Sequence, residues 1–123
     1  DRAKGGCAFV HSDSAEGSQR LNKEAAKVMA NARRIGIEVT PEHAIRWLTA
    51  NPAKSMGIDA MTGTLEPGKQ ADVVLWNGNP FSSYALADQV YVDGARLYDR
   101  HDPSRQAGSD FMLGQGTTPG GVR

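Results

Sequence analysis

Apolar positions change their spacing twice along the chain. Residues 6–14, Gly-Cys-Ala-Phe-Val-His-Ser-Asp-Ser, hold a short apolar run between a glycine pair and a polar cluster, which predicts a buried parallel strand. Ala15 to Ser18 reads as a loop. From Gln19 to Ile35 the spacing becomes three and four: Leu21, Ala25, Val28, Met29, Ala32 and Ile35 make one face of an amphipathic helix, and Lys23, Glu24, Lys27, Asn31 and Arg34 the other. Ser18 is its expected N-cap, Arg33 and Arg34 suit the negative end of the dipole, and Gly36 suits a left-handed C-cap. Thr40-Pro41 predicts a second helix, with Thr40 as N-cap and Pro41 in its first turn. Ala44, Ile45, Trp47 and Leu48 are its expected buried face. Asn51-Pro52 should end it and cap a short third helix over Ala53 to Met56, which Gly57 stops.

Beyond Gly57 the helical spacing is lost. Pro67-Gly68 predicts a turn. Ala71 to Trp76 is a β-rich run in which Val73, Val74 and Leu75 are adjacent, which predicts a strand buried on both faces. Gln89 to Val92 and Ala95 to Tyr98 flank Asp93-Gly94, a strong hairpin signal. Residues 101–123 are glycine-rich and read as a short ordered stub followed by a flexible tail. The expected order is strand, loop, long helix, short helices, then a small strand cluster. A lone parallel strand has nothing to pair with, so the first half is physically incomplete by itself.

Charge narrows the partners. Lys plus Arg and Asp plus Glu are equal at 14 each, which leaves no electrostatic footprint for nucleic acid or an anionic membrane. No wholly apolar run, Cys7 to Val10 among them, exceeds four residues, far short of the roughly 20 residues of a membrane span. The single cysteine closes no internal disulfide; burial is its expected role. The opening lacks a methionine and reads as a cut inside a longer protein, so neither a cytoplasmic nor a periplasmic origin is fixed.

Candidate chemistry gathers at the end of the first predicted strand. Asp13 lies where loops collect in parallel α/β architectures, and a carboxylate there can bind a divalent metal and take a proton from water. On pattern alone the favoured reading is that Asp13, or Ser14, satisfies backbone amides in the loop before the helix. His11, two positions earlier, would point the same way as Asp13, either as a ligand or as a hydrogen-bonded residue of the strand end. His43 and His101 have no partner at ligand spacing. Trp47 and Trp76 read as core or interface residues.

A longer pattern adds to this. Thr49, Asn51, Pro52, Ala53 and Gly57, then Gly63, Leu65, Gly68, Ala71, Asp72 and Val73, stand in order and at spacings that resemble the amidohydrolase superfamily, with Val90-Tyr91-Val92-Asp93-Gly94 as the usual close of the region. The nearest likeness is to imidazolonepropionase-like, metal-dependent hydrolases, and it covers roughly residues 6–99. The resemblance implies an α/β fragment: the last β/α unit of a (β/α)8 TIM barrel over residues 1–58, then part of a composite β-sandwich over 59–100. It implies that Asp13 is both metal-facing and catalytic, as a proton shuttle for the hydrolytic water. His11 is not a standard ligand of the family and is kept as a candidate substrate-binding residue.

The expected cofactor is a divalent metal, zinc by preference, in the parent protein, with no tight binding to this piece. The expected partners are the rest of the barrel, a small-molecule substrate with a C–N bond outside ordinary peptides, and a second copy of the fragment. The contrasting reading is a non-catalytic sandwich and helix module acting in assembly.

Overall fold

A computed structural model describes residues 7–105. Four helices come first: α1 (Ala15–Ser18), α2 (Leu21–Arg34), α3 (Pro41–Ile45) and α4 (Ala50–Met56). Three strands follow, β1 (Val73–Trp76), β2 (Ala87–Val92) and β3 (Ala95–Asp99), and then a single 3-10 turn, Pro103–Arg105. The tail expected beyond it lies outside the described residues from 106 onward.

The helices obey their local signals with two corrections. Thr40 caps α3, its hydroxyl accepting from the His43 N–H at 3.3 Å, and Pro41 opens the helix. Gly36 and Gly57 take positive φ of 78° and 72° just past α2 and α4, where a β-carbon would be strained. Ser18, however, does not cap α2. The predicted loop is the short helix α1, capped by Ser14, and the Ser18 hydroxyl donates to the Ala15 carbonyl at 2.7 Å. Helix α3 also ends early, at Ile45, and Pro52 sits in the first turns of α4 instead of terminating its predecessor. Proline is tolerated there because the first N–H groups of a helix lack intrahelical partners in any case.

The core is small. Ala25 of α2 packs with Ala44 and Trp47, and Val10, Met29, Val39, Leu48 and Phe81 close around them. No large side chain is fully buried among the described residues. Val28, Ile35 and Ile45, all assigned to buried faces by their spacing, are exposed. The spacing was right about which side is apolar. Among the described residues no further layer covers it.

The first predicted strand is not a strand. Residues 7–12 carry no ladder, since no parallel neighbour exists among the described residues to accept their N–H groups. They lie instead against the helices: the Val10 N–H donates to the Trp47 carbonyl at 3.1 Å, and Asn51 Nδ2 donates to the Ala8 carbonyl at 2.6 Å. Cys7 is exposed, not buried, with its thiol 3.7 Å from the Asn51 carbonyl. A period of two nevertheless persists. Val10 and Ser12 are half-buried, whereas Phe9, His11 and Asp13 are exposed.

The sheet is antiparallel in the order β1-β2-β3. Asp93 and Gly94, with φ of 53° and 80°, make the tight hairpin turn between β2 and β3. Two register shifts, at Leu75/Trp76 and at Val90/Tyr91, bend the ladders. Strand β1 departs from expectation: Val74 and Leu75 are exposed, so it is not buried on both faces. Between α4 and β1 the chain is held by polar clamps. Lys69 Nζ donates at 2.7 Å to the Asp59 carbonyl, to the Thr64 hydroxyl and to the Glu66 carboxylate. The Lys69 hydrogen bond, helped by Thr64, holds the Glu66 carboxyl below its ordinary range. Asp72 accepts the Asp93 N–H at 2.8 Å and so ties this loop to the hairpin turn.

Candidate functional site

Asp13 occupies the turn between the segment 7–12 and helix α1. Three small residues shape that turn. The Ser12 hydroxyl donates to the Ser14 carbonyl at 3.0 Å and accepts the Ser14 N–H at 3.2 Å. The Ser14 hydroxyl accepts the Gly17 N–H at 2.9 Å and caps α1. Gly17 leaves room for both hydroxyls: a β-carbon at that position would stand 2.2 Å from Ser12 Oγ and 2.9 Å from Ser14 Oγ.

The two sequence readings of Asp13 separate here. Amide capping in this turn is done by Ser12 and Ser14. The Asp13 carboxylate is 97% exposed, and its close partner among the described residues is His11, whose Nδ1 lies 3.4 Å from Oδ1. The His11 side chain is itself 68% exposed. At that exposure solvent screens the pair, and it contributes little or nothing to stability. The pair is therefore an arrangement of donors rather than a structural tie. The His11 ring also stands 6.2 Å from the Phe9 ring, so the exposed side of this segment presents Phe9, His11 and Asp13 in sequence.

An open crevice of about 520 Å³ lies beside the segment, walled by Phe9, His11, Leu21, Leu48, Met56 and Trp76. Trp76 brings the first sheet strand to this wall. Asn22 Nδ2, donating to the Pro80 carbonyl at 2.6 Å, ties α2 to the loop behind it. Asp13 stands outside the crevice lining.

The other histidines are not drawn in. His43 is exposed on α3 and meets Trp47 edge to face at 5.6 Å. His101 is exposed and its backbone N–H donates to Asp99 at 2.9 Å. No group of three or more His, Cys, Asp or Glu side chains gathers among the described residues. His11 and Asp13 together offer one nitrogen and one carboxylate donor, a fit to zinc in kind but short of the three protein ligands of a catalytic zinc.

Residues 7–98 match the model of the amidohydrolase family. The chain belongs to the amidohydrolase family. That family generally binds a divalent metal. Among curated relatives, this amidohydrolase chain is similar to the imidazolonepropionase of Shewanella piezotolerans, 41% identical over 68 residues that cover 55% of the chain and 16% of the relative. It is similar also to the imidazolonepropionase of Pseudomonas syringae pv. tomato, 43% identical over 51 residues, 42% of the chain and 13% of the relative. A crystal structure of an amidohydrolase from Thermotoga maritima superposes with a TM-score of 0.52 at 39% identity, covering 62% of the chain and 19% of that structure. The chain thus spans less than a fifth of the length of these relatives.

Reading the sequence alone missed Ser12, Gly17 and Asn51 as shapers of the site. Asn51 was visible as a motif residue but was read as a helix punctuator. Its amide instead pins the segment that leads to Asp13. A serine on each side of an aspartate, with a glycine three residues on, was the available signal for the turn.

Proposed function

We propose that this chain is the C-terminal part of a metal-dependent amidohydrolase that cleaves C–N bonds other than ordinary peptide bonds, and that Asp13 is its proton-carrying carboxylate. In this reading residues 1–58 complete the (β/α)8 barrel, 59–100 supply part of the β-sandwich, and the segment 7–12 becomes the eighth barrel strand once neighbours are present to pair with it. The carrying observation is that neighbouring serines satisfy the turn's amides and leave the Asp13 carboxylate uncommitted toward solvent. A structural cap would accept a backbone N–H, as Ser14 does from Gly17 and Thr40 does from His43.

A divalent metal, zinc by preference, supplies a water that loses its proton near neutral pH. Asp13 would hold that water's proton at an Oδ atom and pass it to the leaving nitrogen, the two halves of general base and general acid work. His11 Nδ1, beside Asp13, would orient the carboxylate or hydrogen-bond a polar group of the substrate. The substrate class is a cyclic amide, an amidine-like ring or a small acylated amine; the imidazolonepropionase relatives favour the ring. With two donors of its own, the chain needs further ligands from the rest of the barrel, and it does not turn over substrate alone.

Zinc titration of the 123-residue chain, followed at the His11 ring and Asp13 carboxyl by NMR, tests the assignment. Weak uptake, millimolar and not micromolar, should perturb both residues and vanish in Asp13→Ala. Zinc shifts at His43 or His101 that survive Asp13→Ala would sink it.

A further inference from the structure

The turn around Asp13 is built with more care than an exposed loop requires. The Ser12 hydroxyl engages both the N–H and the carbonyl of Ser14, so a single side chain grips the backbone immediately after Asp13 through two hydrogen bonds. Ser12 is half-buried although the aspartate beside it is almost fully exposed. On the far side of that hydroxyl stands Gly17, where a β-carbon would approach Ser12 Oγ to 2.2 Å. Real β-carbons do not approach so closely, so the hydroxyl could not keep its place beside any other residue at 17. Ser14 then fixes the following helical turn through the Gly17 N–H. Each element acts on the backbone at 14 and 17, and none touches the Asp13 carboxylate.

We infer that Ser12 is a positioning residue for Asp13, with Gly17 as the space that admits it. This inference rests on the assignment of Asp13 as the proton-carrying carboxylate. An exposed aspartate on an unconstrained turn samples several backbone and χ1 states, and a carboxylate that must meet a water in one orientation loses rate when displaced by as little as about 1 Å. The Ser12 bracket removes the backbone part of that freedom and leaves both carboxylate oxygens available. The hydroxyl is needed as donor and acceptor together, so threonine can replace serine and alanine cannot.

The test compares the full chain with Ser12→Ala, Ser12→Thr and Gly17→Ala. The readouts are 15N order parameters at residues 12–17 and the χ1-reporting couplings of Asp13. Ser12→Ala and Gly17→Ala are expected to average the Asp13 couplings and lower the order parameters of 13 and 14, with α2 amides unchanged. Ser12→Thr is expected to match the parent chain. Order at Asp13 that is unchanged in Ser12→Ala overturns the inference. If Ser12→Ala unfolds the chain, the decision falls to the other pair, and equal order in Ser12→Thr and Gly17→Ala overturns it. Zinc titration of the same proteins keeps the two proposals apart. Loss of Asp13 order in Ser12→Ala together with zinc shifts indifferent to Asp13→Ala would keep the bracket and discard the metal role.

Discussion

The helical half and the sheet differ in what each leaves unfinished. In the sheet, the strands pair within a stretch of sequence from Val73 to Asp99, and a polar knot forms around the buried Asp99. Asp99, 6% exposed, accepts from Gln89, Arg96 and the His101 N–H, all at 2.9 Å, and Tyr91 donates to Gln89. Its backbone bonds are made locally, although Val74, Leu75, Val92 and Leu97 still lie open. In the helical half the balance is reversed. Helices satisfy their own amides, but the segment 7–12 has no ladder, and Val28, Ile35, Ile37 and Met56 face solvent. Local hydrogen bonding can be completed by a short chain. Burial of apolar surface, and pairing of a parallel strand, need chain from far away.

The comparison breaks most visibly at Trp47. Among the described residues it is the one large side chain buried in the helical core, at 8% exposure, and its carbonyl receives the Val10 N–H. Trp47→Ala is expected to cost about 3–5 kcal/mol. Circular dichroism should show loss of helix, while amide exchange in β2 and β3 stays slow. Simultaneous loss of protection in the hairpin would show that the two regions are one cooperative unit.

A smaller effect is expected in the loop that joins them. Gly63 and Gly68 both have positive φ, 93° and 90°, but only at Gly63 would a β-carbon meet neighbours, 2.6 Å from Ala53 Cβ and 3.2 Å from the Thr49 carbonyl. Gly68→Ala should cost about 1–2 kcal/mol from backbone strain alone. Gly63→Ala should add about 1–3 kcal/mol of overpacking and loosen α4. Equal urea midpoints for the two variants would contradict the close approach of this loop to α4.

The smallest effect belongs to the polar knot. The His101 N–H holds the Asp99 carboxyl below its ordinary range, against the opposing effect of burial, with Gln89 and Arg96 assisting. A carboxyl depressed in the folded state stabilises fully above its unfolded pKa. That contribution is lost as pH falls through the lower, folded value. Hairpin amide protection should therefore decline only on the acid side of the ordinary aspartate pKa, and Asp99→Asn should flatten that decline without moving α2. An acid limb of unchanged shape in Asp99→Asn would assign it to another carboxyl.

Legibility followed the same division. The Thr40-Pro41 helix start, the Gly36 and Gly57 stops and the Asp93-Gly94 hairpin could all be read because their causes lie within a few residues. The strand expected over 7–12 is not formed, and among the described residues there is no parallel neighbour to pair with it. Exposure at Val28, Ile35, Val74 and Leu75 escaped for the same reason: spacing tells which face is apolar and not whether anything covers it. At the site, Asp13 and His11 were singled out from sequence. Ser14 was named as a possible cap for the loop amides, and it does cap α1; the work of Ser12, Gly17 and Asn51 was not legible, since it rests on contacts a few ångströms long that no spacing rule encodes.

The account turns on whether Asp13 completes a metal site assembled from both parts of a barrel. The part of this chain that superposes on the Thermotoga maritima amidohydrolase can be grafted in place of the segment it matches, and the metal content of the purified chimera measured with and without Asp13→Ala. A folded chimera that binds a divalent metal, and loses most of it or all turnover on Asp13→Ala, is the predicted result. A folded chimera whose metal content and activity are both indifferent to Asp13→Ala would contradict the role given to this carboxylate.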